Sequence, residues 1–232
     1  IEISKNLSFK FLEWTLDYPN FRLNPIFNKK ISKKNQGINI NSITCDFFMQ
    51  KPVWSKKYQQ TNLFLLKLLS ICNKYSIEFI IIPLVDNSSI KNGNKSEIIK
   101  YFMSLKKNNY LKKTKILFEV DLVPKRVKSF IGKLDKSFGI NYDAGNSAFF
   151  GYNFNDEKQY FDRVLNIHIK DRKKGGQTVS LGRGDVDFKL FLKYLLKVKY
   201  KNNLILQTYM PKNDSKVIPE ILKNLNFIKK KN

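Results

Sequence analysis

The chain has 232 residues, is 42% hydrophobic and carries a formal net charge of +24 with a single histidine. That length can bury a full core, and that apolar content excludes a disordered chain. No apolar run reaches the roughly 18–20 residues of a membrane span, IEISKNLSFK lacks an apolar leader, and Cys45 and Cys72 are too few for a disulfide framework, so a cytoplasmic setting with no membrane partner is expected.

The charge alone would suit a nucleic acid or an anionic surface. The lysines are spread along the whole chain, alongside overused Asn and Ile, and form no arginine-rich stripe. Biased composition on solvated faces accounts for them, and no nucleic-acid partner is expected.

In chain order, residues 11–16 (FLEWTL) read as a strand with Glu13 near its end, and 17–37 as loop and a short basic helix closing at Gly37. Residues 38–46 read as a second strand ending at Asp46, and 57–75 as a helix on Leu63, Leu66, Leu69 and Cys72. Strand three covers 77–85, followed by a helix at about 94–109 with Ser96 as its N-cap. Strand four is 115–121, and Pro124 suits the first turn of a helix running to about 135. Strand five is 138–143, followed by the turn Ala144-Gly145-Asn146 and a short helix near 156–163. After the next strand come a helix at about 187–199, a strand at 203–208, a helix at about 214–226 and a fraying tail, KKKN.

Repeated strand–helix alternation means βαβ units and a parallel sheet. Neither G-x-G-x-x-G after an early strand nor a Walker loop is present. Instead Glu13, Asp46, Glu119, Asp143, His168 and Gln207 stand near the C-terminal ends of successive strands. Polar groups converging at that end are the arrangement of a (β/α)8 barrel rather than an open sheet. One domain over 1–232 is expected, with a first strand upstream of Ile1 or absent. The lone histidine, His168, shares one face of a strand with Lys170, in a run whose apolar residues are Val164, Leu165, Ile167 and Ile169.

Taken in order, FLEW, SITCDFF, IIIPLVDNSSI, LFEVDL, INYDAGNS, NIHIKDR and LGRGDVDF resemble the xylose isomerase-like TIM-barrel family. That superfamily holds sugar-phosphate isomerases and epimerases, and also endonuclease IV. The resemblance implies a divalent-metal site with ligands Glu119, Asp143 and His168, and a fourth position that falls on Gln207 where the family has Glu. It also places Lys170 and Asp171 beside the site, and Gly182 to Phe188 as a loop over it.

One imidazole with two carboxylates suits Mn²⁺, Mg²⁺ or Co²⁺, with Zn²⁺ also compatible. Such an ion can hold a sugar carbonyl and hydroxyl and stabilise an enediolate, while a base moves a carbon-bound proton. Glu119 and Lys170 are the catalytic candidates. Gln207 offers a neutral carbonyl oxygen and accepts no proton at neutral pH, which removes the second base of a two-carboxylate epimerase. A one-base isomerase or epimerase of a sugar or sugar phosphate is the leading expectation, and a barrel that binds a sugar or partner without turnover is the alternative. A nuclease of the endonuclease IV type needs several histidines.

Glu13, Asp46, Asn146 and Arg183 are the candidate substrate contacts. Glu13 and Asp46 serve equally as loop caps, and Arg183 as a solvated loop cation. Lys170 could equally bind substrate or pair with Asp143 or Asp171. A homo-oligomer is left open.

Overall fold

A computed structural model describes residues 7, 9–18 and 39–231 of the chain. The strands are β1 (Phe11–Thr15), β2 (Asn39–Thr44), β3 (Phe79–Leu84), β4 (Lys115–Val120), β5 (Phe138–Asp143), β6 (Val164–Ile169), β7 (Asp171–Arg172), β8 (Thr178–Val179) and β9 (Asn203–Leu206). The helices are α1 (Gln59–Tyr75), α2 (Lys95–Lys107), α3 (Pro124–Ile131), α4 (Ala144–Phe150), α5 (Phe154–Glu157), α6 (Phe188–Lys197) and α7 (Val217–Lys231). Seven strands form one sheet in the order β1-β2-β3-β4-β5-β6-β9. The pairs β1–β2, β2–β3, β3–β4, β4–β5 and β6–β9 are parallel. Parallel neighbours need crossover connections, which α1, α2 and α3 supply between β2 and β3, β3 and β4, and β4 and β5, and α6 between β6 and β9.

The chain forms two compact units, one of residues up to Leu122 with Ser129–Ile140, the other of Val123–Lys128 with Asn141–Asn232. In the first, every residue of β3 (FIIIPL) is buried, as a parallel strand covered on both faces requires. Phe118 of β4 anchors the aromatic core, with ring centroids 4.7 Å from Phe102, 5.4 Å from Phe130 and 5.9 Å from Phe138. Edge and offset contacts of this kind add to the area they bury.

In the second unit Tyr142 of β5 packs 5.1 Å from Phe161 and 5.7 Å from Phe191. Its hydroxyl donates to the buried Glu157 carboxylate at 2.8 Å. Ser147 Oγ and Tyr160 OH donate to the same carboxylate at 2.7 and 3.2 Å. Burial pushes the Glu157 pKa above its ordinary 4.5, against the lowering effect of these three hydroxyls.

Several boundaries differ from the sequence expectation. The N-cap of α2 is Asn94, not Ser96: Asn94 Oδ1 accepts from the backbone N–H groups of Ser96 and Glu97 at 2.9 and 3.4 Å. Asn caps as well as Ser, and Ser96 already lies inside the first turn. Helix α3 begins at Pro124 as expected but stops at Ile131, where Phe130 and Ile131 carbonyls accept from Lys133 and Leu134 in tight turns. The expected helix at 156–163 is one α-turn, α5, continued by a 3-10 helix over Lys158–Arg163.

Strand β9 stops at Leu206. The last helix starts at Val217, after a 3-10 turn capped by Asn213, and carries the basic tail to Lys231 instead of fraying. Phe227, 5.3 Å from Phe188, anchors that end. The Gly-rich loop after His168 contains the antiparallel β7–β8 ribbon. The basic helix expected within 17–37 falls, apart from Asp17 and Tyr18, outside the described residues.

Because the folded state holds Glu157 at a raised pKa, its stabilising share is complete below the ordinary carboxylate pKa and is lost as pH rises through the raised value. Glu157→Gln should therefore gain stability relative to wild type in urea unfolding as pH climbs from about 4 to about 8. A difference that does not change with pH would contradict this placement.

Candidate metal centre

Strand periodicity puts Asn141 and Asp143 on one face of β5, and Asn166 and His168, followed by Lys170, on one face of β6. Asp143 ends its strand and caps α4, its Oδ1 accepting from Asn146 N at 2.8 Å. Its other oxygen, Oδ2, lies 3.9 Å from His168 Nδ1 and 3.3 Å from Lys170 Nζ. The Asp143 and His168 side chains are each 1% exposed. A buried carboxylate requires such partners, since an unpaired one would be neutralised or expelled.

A second support for His168 was not visible in the sequence. Asn166 Nδ2 donates to Asn141 Oδ1 at 2.7 Å, which turns Asn141 Nδ2 toward His168 Nδ1 at 3.2 Å. Both asparagines are buried. Asn141 thus meets the same ring nitrogen of His168 that faces Asp143. A buried Asn on a strand reads from sequence as a turn or edge residue, so no local pattern marked it.

Glu119 of β4 completes the group. One ligand atom each from Glu119, Asp143 and His168 lie within 4.8 Å of one another. Among the described residues these three could hold a metal ion. Two carboxylates and one imidazole fit a hard divalent cation.

The other expected residues are placed as follows. Gln207 follows β9, and its Oε1 accepts from Lys170 Nζ at 3.4 Å. Lys170 thus ties Gln207 to Asp143, and its ion pair is with Asp143 rather than Asp171. Asn146 Oδ1 accepts from Arg172 Nη1 at 2.8 Å. Glu13 accepts from Ser42 Oγ at 2.7 Å, across β1 and β2. Asp46 opens a 3-10 turn and accepts from Thr44 Oγ1 at 3.3 Å. Arg183 is exposed, with its backbone N–H donating to the Ser180 carbonyl at 3.0 Å.

Asp171 is fully buried and has a different task. Its carboxylate accepts from the backbone N–H groups of Gly182 and Gly184 at 2.8 Å each and of Val186 at 3.2 Å. This fastens the 182–186 turn to the strand end that carries His168 and Lys170. A Cβ at Gly184 would collide with the Asp171 carboxylate, and Gly182 has a φ of +81°. The spacing of the two glycines in LGRGDVDF follows from these two demands. Arg172, next in sequence, lies 4.0 Å over the Phe149 ring and donates to the Gly176 carbonyl.

Residues 117–231 match the family model described as xylose isomerase-like TIM barrel. This part of the chain belongs to the xylose isomerase-like TIM-barrel family. Solved structures extend the same fold over the rest. A xylose isomerase domain protein from Planctomyces limnophilus is 17% identical, with a TM-score of 0.78 over 99% of this chain and 91% of that one. A D-psicose 3-epimerase with D-tagatose, from Clostridium cellulolyticum H10, is 13% identical, also at 0.78, over 99% and 91%. An IOLI protein with a bound zinc atom is 14% identical at 0.77, over 100% and 92%. At such identities the likeness is one of fold, and the fold is the expected α/β TIM barrel. No curated protein matches the sequence. No helix among the described residues is long and apolar enough to cross a membrane.

Asp171→Asn should destabilise the protein by about 1.5–3 kcal/mol, the range for a buried charge-assisted hydrogen bond. Gly184→Ala should do at least as much. A loss under about 0.5 kcal/mol in either variant, typical of inert surface changes, would show that the clamp is not needed.

Proposed function

We propose that this protein is a divalent-metal-dependent isomerase or epimerase of a sugar or sugar phosphate. The observation that carries the reading is the Glu119, Asp143 and His168 donor set within one family segment. The epimerase title of one fold neighbour and the bound zinc of another point the same way. Glu119, Asp143 and His168 would hold Mn²⁺, Mg²⁺, Co²⁺ or Zn²⁺, with Gln207 as a neutral fourth donor. When bound, such an ion polarises a carbonyl and lowers the pKa of the neighbouring C–H and O–H groups.

Glu119 is the group we assign to the carbon-bound proton. It is a carboxylate among ligands that are themselves fixed by hydrogen bonds, so it can remain at the reacting carbon. Asp143 and His168 are pinned by α4 and by Asn141, which suits them to hold rather than to move protons. The Lys170 ammonium now bridges Asp143 Oδ2 and Gln207 Oε1. With a cation held at Asp143, Lys170 would be free to turn outward, where its ammonium would meet a substrate hydroxyl or phosphate oxygen. Asn146, Arg183, Glu13 and Asp46 remain candidate substrate contacts.

The second reading is a barrel that binds a sugar without turnover, and Gln207 is the observation that favours it. An amide already held by Lys170 cannot serve as a second base.

Protein supplied with Mn²⁺ should be incubated in D₂O with a panel of aldoses, ketoses and their phosphates and followed by NMR. Deuterium wash-in and a new sugar are expected, with Glu119→Gln slower by at least about 100-fold while still binding the sugar. No exchange into any sugar by protein that binds both metal and sugar would overturn catalysis in favour of the binding barrel.

A further inference from the structure

The charge of the first unit is segregated by strand end. Three connections lead into the N-terminal ends of β3, β4 and β5, and seven lysines on or beside them are exposed: Lys74, Lys106, Lys107, Lys112, Lys113, Lys133 and Lys136. The carboxylates there are Glu78 and Asp135, and Asp135 already pairs with Lys106 at 3.7 Å. At the opposite strand ends, Glu13, Asp46, Asp86, Glu119 and Asp121 temper the basic residues. Biased composition alone would spread lysines without sorting the acids away from them.

The three connections form one surface. Asn73 Nδ2 donates to the Tyr110 carbonyl at 2.8 Å, and its Oδ1 accepts from Lys113 N and Thr114 N at 2.9 and 3.2 Å. Thr114 Oγ1 donates to the Ile77 carbonyl at 2.8 Å. Ile116 N donates to the Ser137 carbonyl at 3.1 Å, and the Lys106–Asp135 pair joins the same two segments. The lysines therefore project from a fixed base. Lys115 and Glu119 begin and nearly end β4, so the patch lies about 13 Å along the strand from the metal-site carboxylate.

We infer that this basic face binds the phosphate backbone of single-stranded nucleic acid, independently of the metal centre. Lysines present point charges to phosphates and no bidentate fork for reading base edges, so binding is insensitive to sequence. Tyr75, 42% exposed and 5.6 Å from Lys74 Nζ, gives a base a ring to stack on. It is the one exposed large apolar side chain among the described residues of these connections. A membrane-docking face would need a wider apolar strip.

The test uses fluorescence anisotropy of a labelled single strand of about 20 nucleotides between about 50 and 200 mM salt. Lys107→Gln/Lys112→Gln/Lys113→Gln is compared with the charge-matched Lys51→Gln/Lys56→Gln/Lys57→Gln, and circular dichroism checks that both fold as wild type does. Should the first triple fold poorly, Lys112→Gln/Lys113→Gln replaces it. Each phosphate contact contributes about 0.7 to the slope of log affinity against log salt for single strands. The patch triple should lose about 2 from that slope, and the control triple should keep it. Equal losses in both triples, no binding at the upper salt, or preference for phosphatidylserine vesicles over the strand would each overturn the inference.

Discussion

A single buried carboxylate organises the second unit. Asp143 closes β5, caps α4 through one oxygen, and with the other meets the Lys170 ammonium at 3.3 Å and faces His168. A carboxylate this deep is tolerated only while fully partnered, because removal of one partner leaves a buried charge exposed to an apolar surround. The strand end, the helix start and the histidine face are therefore set together. Gly145 follows from the same packing, since a Cβ there would lie 2.7 Å from Lys170 Cγ.

Two asparagines and one aspartate extend that order away from the ligand atoms. The Asn166–Asn141 amide chain fixes which His168 nitrogen faces Asp143. Asp171 holds the Gly182–Val186 turn by its backbone. Neither device supplies a ligand. Both restrict where the ligands can go, and in a metal site the groups behind the ligands decide ring orientation and basicity.

How much of this was legible in the sequence depended on the range of the interaction. The strands are runs such as FIIIPL and FGINYD, in which β-branched and aromatic residues and burial agree, and they were legible to within two or three residues. His168, Asp143 and Glu119 stood out because polar residues at successive strand ends have one place to converge in a parallel barrel. The ends of α3 and α7 depart from the sequence expectation because tight turns after Phe130 and the packing of Phe227 on Phe188 decide them, not local propensity. The buried asparagines and the partner of Lys170 were not legible at all. Those contacts join residues 25 to 37 positions apart through side-chain geometry that no periodicity encodes. The charge was legible in amount but not in arrangement, since only the folded connections separate the lysines at one strand end from the acids at the other.

Gln207 is where the chain departs from the four-ligand pattern its family resemblance implies. A neutral amide lowers the charge of the donor set by one, and Lys170 already occupies its oxygen. The account therefore rests on whether Glu119, Asp143 and His168 bind a cation without a fourth carboxylate. Calorimetric titration of the wild-type protein and of His168→Ala with Mn²⁺ asks this directly. The account predicts one equivalent bound by wild type and an affinity loss of at least about tenfold in the variant. No uptake by wild type, or equal affinity in the variant, would contradict it.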